Sequence, residues 1–118
     1  MKPLAGHKVA VLGNMAERPL ARYLASLGAE LDGAVESASF VIDDLGLEAT
    51  AHFPIPSTAV HVSVTTFGSG GPRSHWRGGE LVASATGGAL RVTGEPDLPP
   101  VKEAGEACTF HADMVAAC

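Results

Sequence analysis

The sequence predicts an α/β domain, a three-layer open sheet whose strands are mainly parallel, with helices packed on it. Three observations carry this. Short apolar runs at Lys8–Leu12, Phe40–Ile42 and Val60–Thr65 read as strands. A helical face lies between the first two runs, and a long connection broken by Pro54 and Pro56 lies between the second two. Parallel neighbours need crossovers of that kind, whereas hairpins need only tight turns.

The first run, Lys8 to Leu12, stops at Gly13. Asn14 is placed to cap the next helix, and Glu17 falls in the first turn, where a carboxylate suits the helix dipole. Leu20, Leu24 and Leu27 recur at helical spacing, so a helix is predicted from Arg18 to Leu27, ended by Gly28. Strand, helix and glycine stop form the opening of a βαβ unit, a Rossmann-like arrangement. Phe40–Ile42 is closed by the acidic pair Asp43–Asp44. Val60, Val62 and Val64 alternate with His61, Ser63 and Thr65, which gives a strand with one apolar face. Phe67-Gly68-Ser69-Gly70-Gly71-Pro72 comes next, as a turn suited to unusual backbone angles or a close ligand. Helical segments are expected at Glu80–Ala85 and Leu90–Thr93. A rigid loop runs from Glu95 to Pro100. A last helix is expected over Thr109–Cys118, with Asp113 near its head.

Composition bounds the function. The chain has 118 residues, enough for one domain. Leu, Val, Ile and Phe number 11, 11, 2 and 4, above the share of about 20% below which disorder is expected. Ala is abundant at 19, so the core is built from small side chains. No apolar run approaches the roughly 18 residues of a membrane span, and the N-terminus has no secretory apolar region; a cytoplasmic location is expected. A net charge of -5 without any Lys/Arg cluster argues against nucleic acid. Cys108 and Cys118 make neither a disulfide framework nor a zinc site. His7, His52, His61, His75 and His111 contain no helical ligand pair, so no metal is expected.

Four places could carry chemistry. Gly13, Asn14 and Met15 occupy the position of a phosphate-binding βα turn but lack its glycine pattern, and an ordinary turn is the simpler reading. Phe67, Gly68, Gly70 and Gly71 could cradle a phosphate or a thioester chain, or form a plain loop. Asp113 and Glu80 each sit near an expected helix start, where an anion is stabilised; by position alone a first-turn acid is the simpler reading of both. The two thiols have no flanking base to make a nucleophile.

The chain also resembles the family III CoA-transferases, which include formyl-CoA transferase, carnitine CoA-transferase and α-methylacyl-CoA racemase. Pro3-Leu4-Ala5-Gly6 through Leu27-Gly28-Ala29-Glu30 is similar to the family's opening. Val62 through Pro72 resembles its strand and glycine-rich turn, Thr93-Gly94-Glu95-Pro96 and Pro99-Pro100-Val101 resemble later segments, and Ala112-Asp113 falls where the family keeps its catalytic aspartate. The resemblance implies an enzyme that moves CoA between an acyl-CoA and a carboxylic acid. Asp113 would be the nucleophile and Glu80 a supporting acid. Gly13, Asn14, Met15, Asp44, Phe67, Gly68, Gly70 and Gly71 would contact CoA, which is a substrate; no separate cofactor is implied. It further implies a homo-oligomer or a complementing chain, and a polypeptide several times longer, of which these residues would be an incomplete N-terminal domain.

Departures from the family frame the rival readings. The CoA-contacting segment after Leu31 is compressed, an Asn-Phe pair appears as Asp44-Leu45, and the aromatic before the active-site acid is Gly79. These favour a non-catalytic structural or partner relative. A Rossmann-like nucleotide-binding module built on Gly13 and Asn14 is the third reading. Gly78-Gly79-Glu80 stands where the racemase branch has a His-Asp pair, which favours transfer over racemisation.

Overall fold

The structure is a computed structural model that describes residues 2–118. Its centre is a parallel sheet of three strands in sequential order: β1 (Val9–Val11), β2 (Phe40–Asp43) and β3 (Val60–Ser63). Val9 pairs with Phe40, and Phe40 with Val60. The α/β class and the parallel pairing are as the apolar runs predict.

Side-chain alternation divides the core. Val9, Leu20, Leu24, Ile42 and Met15 are buried together on one face, beneath helix α1 (Pro19–Ser26) and the end of helix α5 (Ala107–Ala116). Ala10, Val35, Ala38 and Val41 are buried on the other, covered by the short 3-10 turn Val35–Ser37 and the connection around Ile55 and Ala59. Neighbouring strand residues point to opposite faces, so a three-residue strand feeds both clusters. Between β2 and α5 lie α2 (Leu47–Thr50), α3 (Glu80–Thr86) and α4 (Ala89–Val92). The radius of gyration, 16.1 Å, exceeds the roughly 13–14 Å of a compact domain of this length. Apolar side chains stay exposed accordingly, among them Val92, Leu98 and Val115. Among the described residues no helix is long and apolar enough to cross a membrane.

Strand β3 ends at Ser63 rather than Thr65, and the starts of two helices differ from expectation. Asn14 does not cap α1. It precedes a 3-10 turn, Met15–Glu17, without a side-chain capping bond, and Glu17 belongs to that turn. Pro19 disfavours helical geometry at the residue before it; Arg18 is extended, and α1 starts only at Pro19. The last helix starts at Ala107, earlier than expected, which moves Asp113 from its head into its second turn. Gly28 takes the left-handed conformation, φ 101°, just past Leu27, as a helix stop requires.

Candidate active site

In open parallel sheets, ligands settle beyond the carboxyl ends of the strands. A groove of about 890 Å³ lies there. Its walls come from the residues after β2 (Asp44, Gly46), those after β3 (Thr65, Gly68), the segment Ser74–Glu80, and Thr109 of α5, with Arg18 also lining it. Two cations, Arg18 and Arg77, face the space against Asp44, Glu48 and Glu80, and the imidazole of His75 also lines it.

Asp113 lies under this groove without lining it, and it has no solvent exposure. Its carboxylate is held by Arg18. Nε donates to Oδ2 at 3.2 Å, and Nη2 donates to Oδ1. The third guanidinium nitrogen, Nη1, stands 4.0 Å from Oδ2 of Asp44. A two-pronged pair of this kind compensates the charge that burial would otherwise penalise. The electrostatic partner of Asp113 is therefore Arg18 rather than the start of α5, which corrects the expectation drawn from a later helix start. Phe110, three residues before Asp113, is exposed, while Met114, next to it, is half-buried.

Glu80, the first residue of α3, reaches across to α5. It accepts hydrogen bonds from the backbone N–H of Cys108 at 2.7 Å and of Thr109 at 2.9 Å, and from the Thr109 hydroxyl at 2.6 Å. These amides belong to the first turn of α5, where no intrahelical acceptor exists. Glu80 thus caps from outside the helix that carries Asp113. Burial pushes the Glu80 carboxyl up, but the bonds from Thr109 and Cys108, with Lys102 nearby, outweigh it and hold the group below its ordinary value.

A third carboxylate is tied down on the opposite face of the sheet. Asp43, fully buried at the end of β2, accepts from His61 Nε2 at 2.6 Å, from the hydroxyls of Ser63 and Thr50 at 3.0 Å each, and from Leu45 N–H at 2.9 Å. Burial raises its pKa, and the bonds from His61, Thr50, Leu45 and Ser63 more than reverse this, leaving it lowered. This cluster ties β2 to β3 and to the α2 segment beside the groove.

The other expected contacts are placed unevenly. Met15 is fully buried in the core beneath α1, so its side chain meets no ligand in the groove; the expectation of a CoA contact there is corrected. Gly13 and Asn14 do not line the groove, and the Asn14 N–H donates to Asp44 Oδ1 at 3.0 Å, so the chain's own carboxylate occupies the place an anion would take. Gly13 has φ +67°, and a Cβ there would run into that same oxygen. Asp44 and Gly68 line the groove; Phe67, Gly70 and Gly71 do not. Phe67 instead packs edge-on against Trp76, which carries Arg73 over its ring at 5.1 Å. Arg18 and Thr109 were not singled out from the sequence. The signal for Arg18 was its place before Pro19: a cation at a helix N-terminus opposes the dipole and calls for a carboxylate partner.

A sequence profile described as CoA-transferase family III matches residues 35–118. No curated protein matches the chain. The matched stretch contains β2, β3, the groove walls from Asp44 onward, Glu80 and Asp113. The chain belongs to CoA-transferase family III.

Proposed function

We propose that this chain supports transfer of CoA between an acyl-CoA and a carboxylic acid, with Asp113 as the covalent nucleophile. The observation that carries the reading is a fully buried carboxylate joined to the groove through Arg18. In the proposed sequence an Asp113 oxygen attacks the thioester carbonyl, and the carbon–sulfur bond breaks with its electron pair leaving on the CoA thiolate. The thiolate then attacks the Asp113 carbonyl of the anhydride, releasing the donor acid and leaving an aspartyl-CoA thioester. The acceptor carboxylate attacks that carbonyl, thiolate leaves again, and its return to the acceptor acyl carbon regenerates the Asp113 carboxylate.

Burial and a fixed hydrogen-bonding fork suit a nucleophile whose orientation matters more than its hydration. Glu80 supports it by holding the start of α5, a positioning role at the distance seen here. Among the expected CoA contacts, Asp44 and Gly68 have access to the groove. A homo-oligomeric arrangement is part of the proposal: Phe110 and Val115 of α5 are 46% and 78% exposed and would be covered by a second surface.

The non-catalytic reading draws on the same pair, since Arg18 closes both prongs on Asp113 and Asp44 adds negative charge to the groove. One experiment separates the two. The protein is incubated with acyl-CoA and quenched with hydroxylamine, and its peptides are examined by mass spectrometry. A hydroxamate on Asp113 supports transfer. A label on Glu80 or Cys108 contradicts the assignment, and no label in any assembly supports the non-catalytic relative.

A further inference from the structure

The Arg18 guanidinium stands between the groove and Asp113. Two of its nitrogens bind Asp113, the third faces Asp44, and the side chain, 18% exposed, lines the groove. Asp44 is fixed in turn, because its other oxygen accepts the Asn14 N–H. The guanidinium is therefore anchored on one side and committed on the other to the group proposed to be acylated.

We propose that Arg18 is the receptor for the carboxylate of the acceptor acid, and that acylation of Asp113 frees it for this role. The inference rests on the reading of Asp113 as nucleophile. While Asp113 is ionised, its own oxygens fill the guanidinium fork, and an external carboxylate competes for it poorly. As an aspartyl-CoA thioester, Asp113 is neutral and keeps a single carbonyl oxygen. Arg18 then loses its two-pronged partner and keeps only Asp44, 4.0 Å away, at a largely buried position where an under-compensated cation is costly. A carboxylate arriving through the groove restores a planar, two-pronged match. It also takes up a place beside the Asp113 carbonyl carbon, the atom it must attack; CoA leaves as thiolate with the electron pair of the carbon–sulfur bond. One arginine thereby orders the two half-reactions: the acceptor is bound well only after the donor has reacted.

The test is an equilibrium measurement on the whole protein. Asp113→Asn imitates the neutral state, and acetate is the probe, titrated by calorimetry or NMR. Acetate should bind Asp113→Asn at least about tenfold more tightly than wild type, because a charge-assisted pair becomes available. The gain should vanish in the double variant Arg18→Gln/Asp113→Asn. No gain in Asp113→Asn, or a gain that survives loss of Arg18, overturns the proposal. Should Asp113→Asn fail to fold, Arg18→Lys decides: its acceptor KM should rise at least about tenfold more than its donor KM, and an equal change in both, or no change, overturns the receptor. Tighter acetate binding in Asp113→Asn without a wild-type hydroxamate supports Arg18 as receptor while counting against Asp113 as nucleophile.

Discussion

Arg18, the residue just before the first turn of α1, grips Asp113 in the second turn of α5 from 95 positions away in the chain. This pair joins the two helices that cover one face of the sheet, and it does so at the carboxyl end of the strands, where the groove lies. Structure and proposed chemistry meet in one ion pair.

Removing the cation should therefore be severe. Arg18→Gln leaves a buried carboxylate without its charge partner and is expected to cost about 3–5 kcal/mol. Arg18→Gln/Asp113→Asn should recover part of that loss, since no charge remains to be compensated. Urea denaturation of the wild type, both single variants and the double variant measures the coupling; simple additivity would show that the pair contributes nothing.

Glu80→Ala should loosen the start of α5. It removes the acceptor of two first-turn amides and one hydroxyl, and a loss of about 1–2 kcal/mol is expected. Amide hydrogen exchange should rise at Cys108 and Thr109 ahead of the strands. Unchanged protection there would show that α5 does not depend on this cap.

The strands and the burial pattern were legible because they depend on local alternation: Val9 and Ala10 part to opposite faces as a period of two requires. Gly28 was legible as a stop because the left-handed turn is a local property. The start of α1 lay within reach too, since Pro19 restricts Arg18, but the Asn14 capping signal pointed elsewhere. The start of α5 was not legible. Its first turn is completed by Glu80, a residue from another helix, and no window around Ala107 contains that acceptor. Asp113 was singled out by position and by resemblance; the place of Arg18 before Pro19 signals that it needs a carboxylate, but that the carboxylate is Asp113 is a tertiary fact that spacing does not encode. Met15 sat in a turn that looked like a ligand loop, yet burial in the core claims its side chain.

Asp43 should give the fold an acid limb. Its folded pKa is lowered, so its stabilising contribution is complete above the unfolded value of about 4 and is lost as the pH falls through the folded value. Asp43→Asn is expected to cost about 2 kcal/mol at neutral pH and to flatten the fall in stability below about pH 4. Thermal unfolding from pH 7 down to about 3 checks this; a variant as acid-sensitive as the wild type would show that Asp43 does not set the acid limb.

Gly13→Ala should destabilise the first βα turn. It combines a positive φ of +67° with a Cβ directed at Asp44 Oδ1, so a loss of about 1–3 kcal/mol is expected. Gly33→Ala is the comparison: it has a similar φ of +69° but open space around it. Calorimetric melting of the two variants should place Gly13→Ala clearly lower, and equal melting would show that the approach of Asp44 is unimportant.

The central claim, that CoA passes through Asp113, is tested most directly by following oxygen. The acceptor acid is supplied with both carboxylate oxygens replaced by the heavy isotope, and the protein is allowed to turn over with unlabelled acyl-CoA. In the proposed sequence the acceptor oxygen bridges the second anhydride and stays on the aspartate when the thiolate takes the acyl group. Mass spectrometry of the digested protein should therefore find heavy oxygen in the peptide containing Asp113, at its side chain, and none in Asp113→Asn. Turnover that leaves Asp113 unlabelled, or that puts the label on Glu80, would contradict the claim.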